Sequence, residues 1–99
     1  MFYIYHGLME IPYKDTKTIG VIFPDFLGLL SAGSSYTEAK EKAIEGLQSH
    51  IEAMIRNRDK IPEPTTLNII MEDKEILEKI SNNEVCVFSV GVYISIKVT

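Results

Sequence analysis

The sequence predicts an α+β fold: an antiparallel β-β-β-α-(α)-β sheet with a long amphipathic helix packed on one face. Three observations carry this. A Ser-x-x-Glu cap at Ser35 opens a stretch with apolar residues every three or four positions. The last segment, from Val85 onward, is apolar at every second position. The residues before the cap form short β-like runs separated by turn residues. The chain has 99 residues, so it is read as a single domain over 1–99.

The first strand lies within Met1 to Tyr13, where aromatic and β-branched residues dominate. Gly7 and Pro12 interrupt it and predict a bulge or a ragged edge. Lys14-Asp15-Thr16-Lys17 reads as a hairpin loop. The second strand follows at Ile19 to Phe23, with Ile19, Val21 and Phe23 on one face. Pro24-Asp25 ends it, Gly28 marks a second turn, and Leu29 to Gly33 is a third short strand. Such short connections predict a meander of three antiparallel strands.

The helix should run from Tyr36 to Arg56 or Asn57. Tyr36, Ala39, Ala43, Leu47, Ile51 and Met54 form its apolar stripe. Lys40, Glu41, Lys42, Glu45, Gln48 and Glu52 form the opposite face. At its start, the Glu38 carboxylate is expected to reach back to the Ser35 N–H. Gly46 within the helix predicts a close neighbour or a local weakness. Ile61-Pro62-Glu63-Pro64 cannot be helical. Leu67 to Met71 reads as a short helix or as a strand. Asp73 caps another helical segment, whose buried side is expected to be Ile76, Leu77 and Ile80. Ser81-Asn82-Asn83 is a turn, and the final strand places Cys86, Phe88, Val90, Val92, Ile94, Ile96 and Val98 on one face.

Composition narrows the function. The formal net charge is −4 and the pI about 5.1, so the chain lacks the general positive field that collects phosphate backbones. One cysteine, Cys86, allows neither an internal disulfide nor a multi-cysteine metal site, and a reducing cytoplasm is the expected compartment. Cys86 itself reads as a small hydrophobe. No apolar run has the length of a membrane helix, and the N-terminus lacks the basic region and cleavage site of a signal peptide. His6 and His50 have no ligand-spaced partners. Glu10, Asp15 and Asp25 are not spaced as an acidic cluster for divalent metals. No catalytic residue, metal site or cofactor is therefore assigned. The aromatic N-terminus (Phe2, Tyr3, Tyr5) reads first as strand, whereas the final strand offers an edge for pairing with another chain, with self-pairing giving a dimer.

The middle of the chain, Ile19 to Leu67, resembles the HicB antitoxin family. The resemblance rests on Val21-Ile22-Phe23-Pro24-Asp25-Phe26-Leu27-Gly28, Ser31-Ala32-Gly33, Ser35-Tyr36-Thr37-Glu38-Ala39 and Ile61-Pro62-Glu63-Pro64, in that order and spacing. The motif positions are Phe23, Pro24, Asp25, Gly28, Gly33, Ser35, Glu38, Ala39, Pro62 and Pro64. Departures are Leu27 where the family usually has proline, Leu29 where cysteine is frequent, and Ser34 where Asp is common. The first seven residues look like an addition, and a C-terminal DNA-binding domain after the final strand is not expected, so operator binding is not carried over.

The resemblance implies a partly degenerate ribonuclease H-like fold and a type II toxin-antitoxin role. The partner would be a small HicA-type toxin, an mRNA-cleaving ribonuclease whose active surface the antitoxin covers, and a homo-dimer or tetramer would be usual. Candidate partner-binding residues are Asp15, Asp25, Glu38, Glu41, Glu45 and Tyr93. An acidic inhibitor is steered toward a basic ribonuclease, which agrees with the charge balance. The rival readings are a direct RNA-binding module, a residual metal-dependent nuclease, and an orphan homo-oligomeric scaffold. Membrane binding and nucleic-acid binding by this domain alone are not expected. Among the turn and motif residues, Asp25 is the one expected to be exposed and used.

Overall fold

In the computed structural model of the chain, residues 1–13, 15 and 18–94 are described. Strand β1 (Phe2–Glu10) is followed by β2 (Ile19–Ile22), β3 (Leu30–Gly33) and helix α1 (Tyr36–Arg56). Two short helices, α2 (Leu67–Ile70) and α3 (Lys74–Ser81), precede the last strand, β4 (Val85–Tyr93). The four strands form one antiparallel sheet in the order β3-β2-β1-β4. The predicted meander is present, and the last strand joins it alongside the first. Nine consecutive pairs, from Phe2↔Tyr93 to Glu10↔Val85, make β1–β4 the longest ladder.

Alternation divides the sheet into two faces. Tyr5, Gly7 and Met9 of β1, Ile19 and Val21 of β2, and Phe88, Val90 and Val92 of β4 face inward and are buried. The α1 stripe of Ala39, Ala43, Leu47 and Ile51 is buried with them in one apolar core. Tyr36 departs from the predicted stripe, whereas Met54 packs against the core as expected. Tyr36, the first residue of α1, is 54% exposed, and Met54 is half-buried.

The expected interruption at Gly7 does not occur. β1 runs straight through it, and a Cβ there would lie 2.6 Å from the Phe88 ring and 3.0 Å from that of Phe23. Gly7 is thus a seat for two aromatic rings, which themselves pack edge to face at 5.9 Å. Gly46, the other suspected weak point, has only an ordinary contact with Leu29. The hairpin reading of residues 14–17 is described only at Asp15, an exposed turn residue. The predicted continuation of the last strand through Ile96 and Val98 lies outside the described residues.

Both competing readings of Leu67 to Met71 are now resolved in favour of helix. α3 is capped as expected, with Asp73 Oδ1 accepting from the Glu75 and Ile76 N–H groups. Its apolar side is not buried, however. Ile76 and Ile80 are half-buried and Leu77 is 39% exposed, because α3 touches only the margin of β4. Both longer helices end in the same reversal. Arg58 (φ 60) and Asn83 (φ 58) adopt the left-handed conformation, and the next N–H groups, of Asp59 and Glu84, bond to Met54 O and Lys79 O.

Candidate partner-docking surface

The motif residues form one structural corner rather than a site. Phe23 is buried, and the Phe26 N–H closes a turn onto its carbonyl. A second turn follows, with Gly28 at φ 86 supplying the left-handed position and Leu29 N–H bonding to Phe26 O. This leaves Leu27 at a tip, 95% exposed. Asp25 was expected to be exposed; it is half-buried. Its carboxylate accepts from the Thr65 N–H at 2.9 Å and the Thr65 hydroxyl at 2.5 Å. That tie fastens the corner to the segment after Pro62 and Pro64. Pro62 contributes its carbonyl, which accepts from the Tyr5 hydroxyl at 2.7 Å. Burial first, then the charges of Tyr3, Asp25 and Glu63, push the Tyr5 hydroxyl up to about 12.

Gly33 and Ala39 fix where α1 begins. A Cβ on Gly33 would lie 2.3 Å from the Ala39 backbone nitrogen, so β3 and the first helical turn approach to van der Waals limits. Ser35 caps the helix as predicted, its hydroxyl accepting from Glu38 N–H. The reciprocal bond differs: the Glu38 carboxylate takes the N–H and hydroxyl of Ser34 instead of the Ser35 N–H. Ser35 is extended, and both Ser34 donors lie within reach of the Glu38 carboxylate. These backbone and Lys42 contacts hold the Glu38 carboxyl below the usual range.

The other face of the sheet carries no α1. Across it, register aligns Leu30 with Ile22, Ile22 with Leu8, and Leu8 with Val87. One apolar row therefore spans all four strands. Leu30 is 76% exposed and Ile22 45%, whereas Leu8, flanked on both sides, is 6% exposed. Phe2, Ile4 and Tyr93 extend the same face beyond the end of β2, and Phe2 lays its ring over Gly91. Exposed apolar side chains grouped on one face in this way mark a protein contact surface. Two polar groups punctuate it: His6 Nδ1 pairs with Ser89 Oγ at 2.8 Å, and Glu10 accepts from the Gly20 N–H at 2.8 Å.

The partner-binding residues anticipated from sequence do not converge. Glu38, Glu41 and Glu45 lie on α1, on the side away from this face, and Asp15 is in the hairpin turn. Tyr93 alone belongs to the apolar face. The sequence reading missed Leu8, Ile22 and Leu30. Their signal was available, since Phe2, Ile4 and Leu8 are apolar at the positions between the core-facing ones, making β1 apolar on both sides. Cys86 is half-buried, and His50 packs edge to face on Phe26 at 5.6 Å. Among the described residues, no three His, Cys, Asp or Glu side chains are grouped to hold a metal ion. Among them, too, no helix is long and apolar enough to cross a membrane.

Comparison with known proteins gives one consistent answer. Residues 7–90 match the family described as HicB_like antitoxin of bacterial toxin-antitoxin system. Several solved structures share the fold, among them the following three. The N-terminal domain of Burkholderia pseudomallei antitoxin HicB is 21% identical with a TM-score of 0.67, over 92% of this chain and 99% of that one. A chain of the toxin-antitoxin complex from Streptococcus pneumoniae is 23% identical with a TM-score of 0.68, over 94% and 70%. A chain of the HicA3 and HicB3 toxin-antitoxin complex is 21% identical with a TM-score of 0.63, over 87% and 93%. No curated protein matches the chain by sequence.

Proposed function

This chain belongs to the HicB-like antitoxin family, and from that premise we propose that it binds a small HicA-type ribonuclease toxin in the cytoplasm and silences it by covering the surface that cleaves mRNA. The role is regulatory, and no chemistry of its own is required. One observation carries the proposal: the apolar row Leu30-Ile22-Leu8-Val87 lies on the sheet face that α1 leaves uncovered, and Leu30 and Ile22 of that row, with Ile4 and Tyr93 beside it, are exposed. An inhibitor that works by occlusion needs such a face. The excess of 14 acidic over 10 basic residues supplies long-range attraction to an RNA-binding toxin. Glu41 and Glu45 on α1, and Asp15 in its turn, act as steering charges in this scheme. Tyr93 acts by direct contact.

The test is co-purification with the product of a neighbouring small basic reading frame, followed by RNA cleavage with and without the chain. A complex that silences cleavage is expected. Ile22→Glu and Leu30→Glu alter only exposed positions, so the fold should survive while affinity falls at least about tenfold, about 1.4 kcal/mol. Glu41→Lys with Glu45→Lys should slow association and change its salt dependence, with little change in dissociation. A toxin that cleaves undiminished in the presence of this chain would overturn the proposal. Direct binding of RNA by the isolated chain would favour the RNA-binding reading instead.

A further inference from the structure

A groove of about 450 Å³ lies between the two short helices and β4. Leu67 and Met71, at the start and the C-cap of α2, line it together with Ile80 of α3 and Val85 and Val87 of β4. These side chains are apolar, yet none of them is fully buried: Leu67 is exposed and the other four are half-buried. The groove is therefore where the amphipathic side of α3, expected from its sequence to be covered, stays open to solvent.

Val87 belongs to two surfaces. It closes the row Leu30-Ile22-Leu8-Val87 on the sheet, and it also lines the groove. The groove is thus continuous with the face proposed above to contact the toxin.

Charge is concentrated at the same place. Residues 72–84 hold five acidic and two basic side chains, a net −3 in a chain whose total is −4. Glu72 follows Met71 in the chain, and Glu84 stands between Asn83 and Val85, both of which line the groove. Asp73 is engaged in the cap of α3. Glu72, Glu75, Glu78 and Glu84 are exposed, and among the described residues no lysine or arginine forms an ion pair with them.

An apolar floor beside an acidic margin selects its occupant. A second copy of this chain would bring the same negative charge to the groove, and like charge disfavours that approach. Nucleic acid is repelled for the same reason. A cationic segment that carries an apolar side chain satisfies both features. We infer that the groove is a second docking point for the toxin, seating an aliphatic or aromatic side chain borne on a basic segment of it. The contact is made by side chains and needs no strand pairing. Met71, unbranched and flexible, can adapt to the shape of the anchor. Anchors held in pockets carry a large share of interface energy, whereas flat surroundings mainly exclude water. The sheet face then supplies contact area, and the groove fixes the toxin's orientation.

The inference rests on the antitoxin reading, and its test separates the two. The toxin used is the product of the neighbouring small basic reading frame, titrated by calorimetry into the full chain. Leu67→Gln and Ile69→Gln alter exposed residues of the same short helix, but only Leu67 lines the groove. Leu67→Gln should weaken binding at least about fivefold and Ile69→Gln less than about twofold. Glu72→Gln with Glu84→Gln should slow association and flatten its salt dependence. Cys86, which also lines the groove, gives a second readout in the unaltered chain: its alkylation by iodoacetamide should slow when toxin is added. Equal effects of Leu67→Gln and Ile69→Gln, or Cys86 alkylation unchanged by toxin, overturn the groove. If Ile22→Glu still weakens the complex in that case, the sheet-face reading stands alone. Unaltered association of the Glu72→Gln, Glu84→Gln variant overturns the basic character of the segment. Absence of any complex overturns both the groove and the antitoxin reading.

Discussion

Replacing Tyr5 by phenylalanine should destabilise the fold at neutral pH and stabilise it at high pH. Tyr5 is fully buried, its ring packs on Phe26 at 4.8 Å, and its hydroxyl donates to Pro62 O at 2.7 Å. Phenylalanine keeps the ring packing and loses the bond, leaving the Pro62 carbonyl with one partner fewer. The loss is about 1 kcal/mol, or roughly 4–8 °C in Tm for a domain of this size.

Alkaline pH reverses the order. The hydroxyl titrates near 10 in the unfolded chain and is pushed up to about 12 in the fold. A raised folded value means that stability from the neutral hydroxyl is complete below pH 10 and declines as pH rises toward 12. By pH 12 the decline is about 2 kcal/mol for this residue. Phenylalanine has no such term. The stability curves of the two proteins, measured by urea unfolding from pH 7 to 12, should therefore cross between pH 10 and 12. Parallel curves would refute the burial and hydrogen-bond account of Tyr5.

Three other substitutions test the corner and the cap. Gly33→Ala forces a methyl into the Ala39 backbone and should destabilise by about 3 kcal/mol or more, read by thermal unfolding, since neither backbone can yield cheaply. Ser35→Ala removes the hydroxyl that accepts from Glu38 N–H and should cost about 1 kcal/mol in urea unfolding; an unchanged midpoint would contradict the helix start. Asp25→Ala removes both bonds to Thr65 and should cost about 1.5–3 kcal/mol, lowering the urea midpoint. Charge reversal at Asp25 would thus disturb the fold before any partner, contrary to what sequence position alone implied.

The parts legible in the sequence are those governed by local periodicity and capping. The α1 limits, the Asp73 and Ser35 caps, and the alternation of β4 depend on residues within one or two turns of each other. Gly7 was misread because its partners, Phe23 and Phe88, lie far away in sequence and only the sheet brings their rings over it. Asp25 was misread for the same reason, since Thr65 is 40 residues distant. The apolar row was missed because Ile22 and Leu30 acquire meaning only through register across strands. The acidic residues were legible as charges but not as places, and the fold puts Glu38, Glu41 and Glu45 on α1, away from the apolar face.

The ladder between the first strand and the last also governs when this protein can become itself. Its closing bonds join Met1 to Ile94, 93 positions apart in the chain. Contacts of such separation form slowly, because a long loop must close before they return any stability. During synthesis, β1 can pair early with β2, but its other side stays open until residues 85–94 have left the ribosome. Until then Tyr5, Gly7 and Met9 lack their neighbours in β4, and the nascent chain presents a raw strand edge. The folded antitoxin therefore lags behind its own translation, and any delay or truncation before β4 emerges yields a chain without a finished sheet.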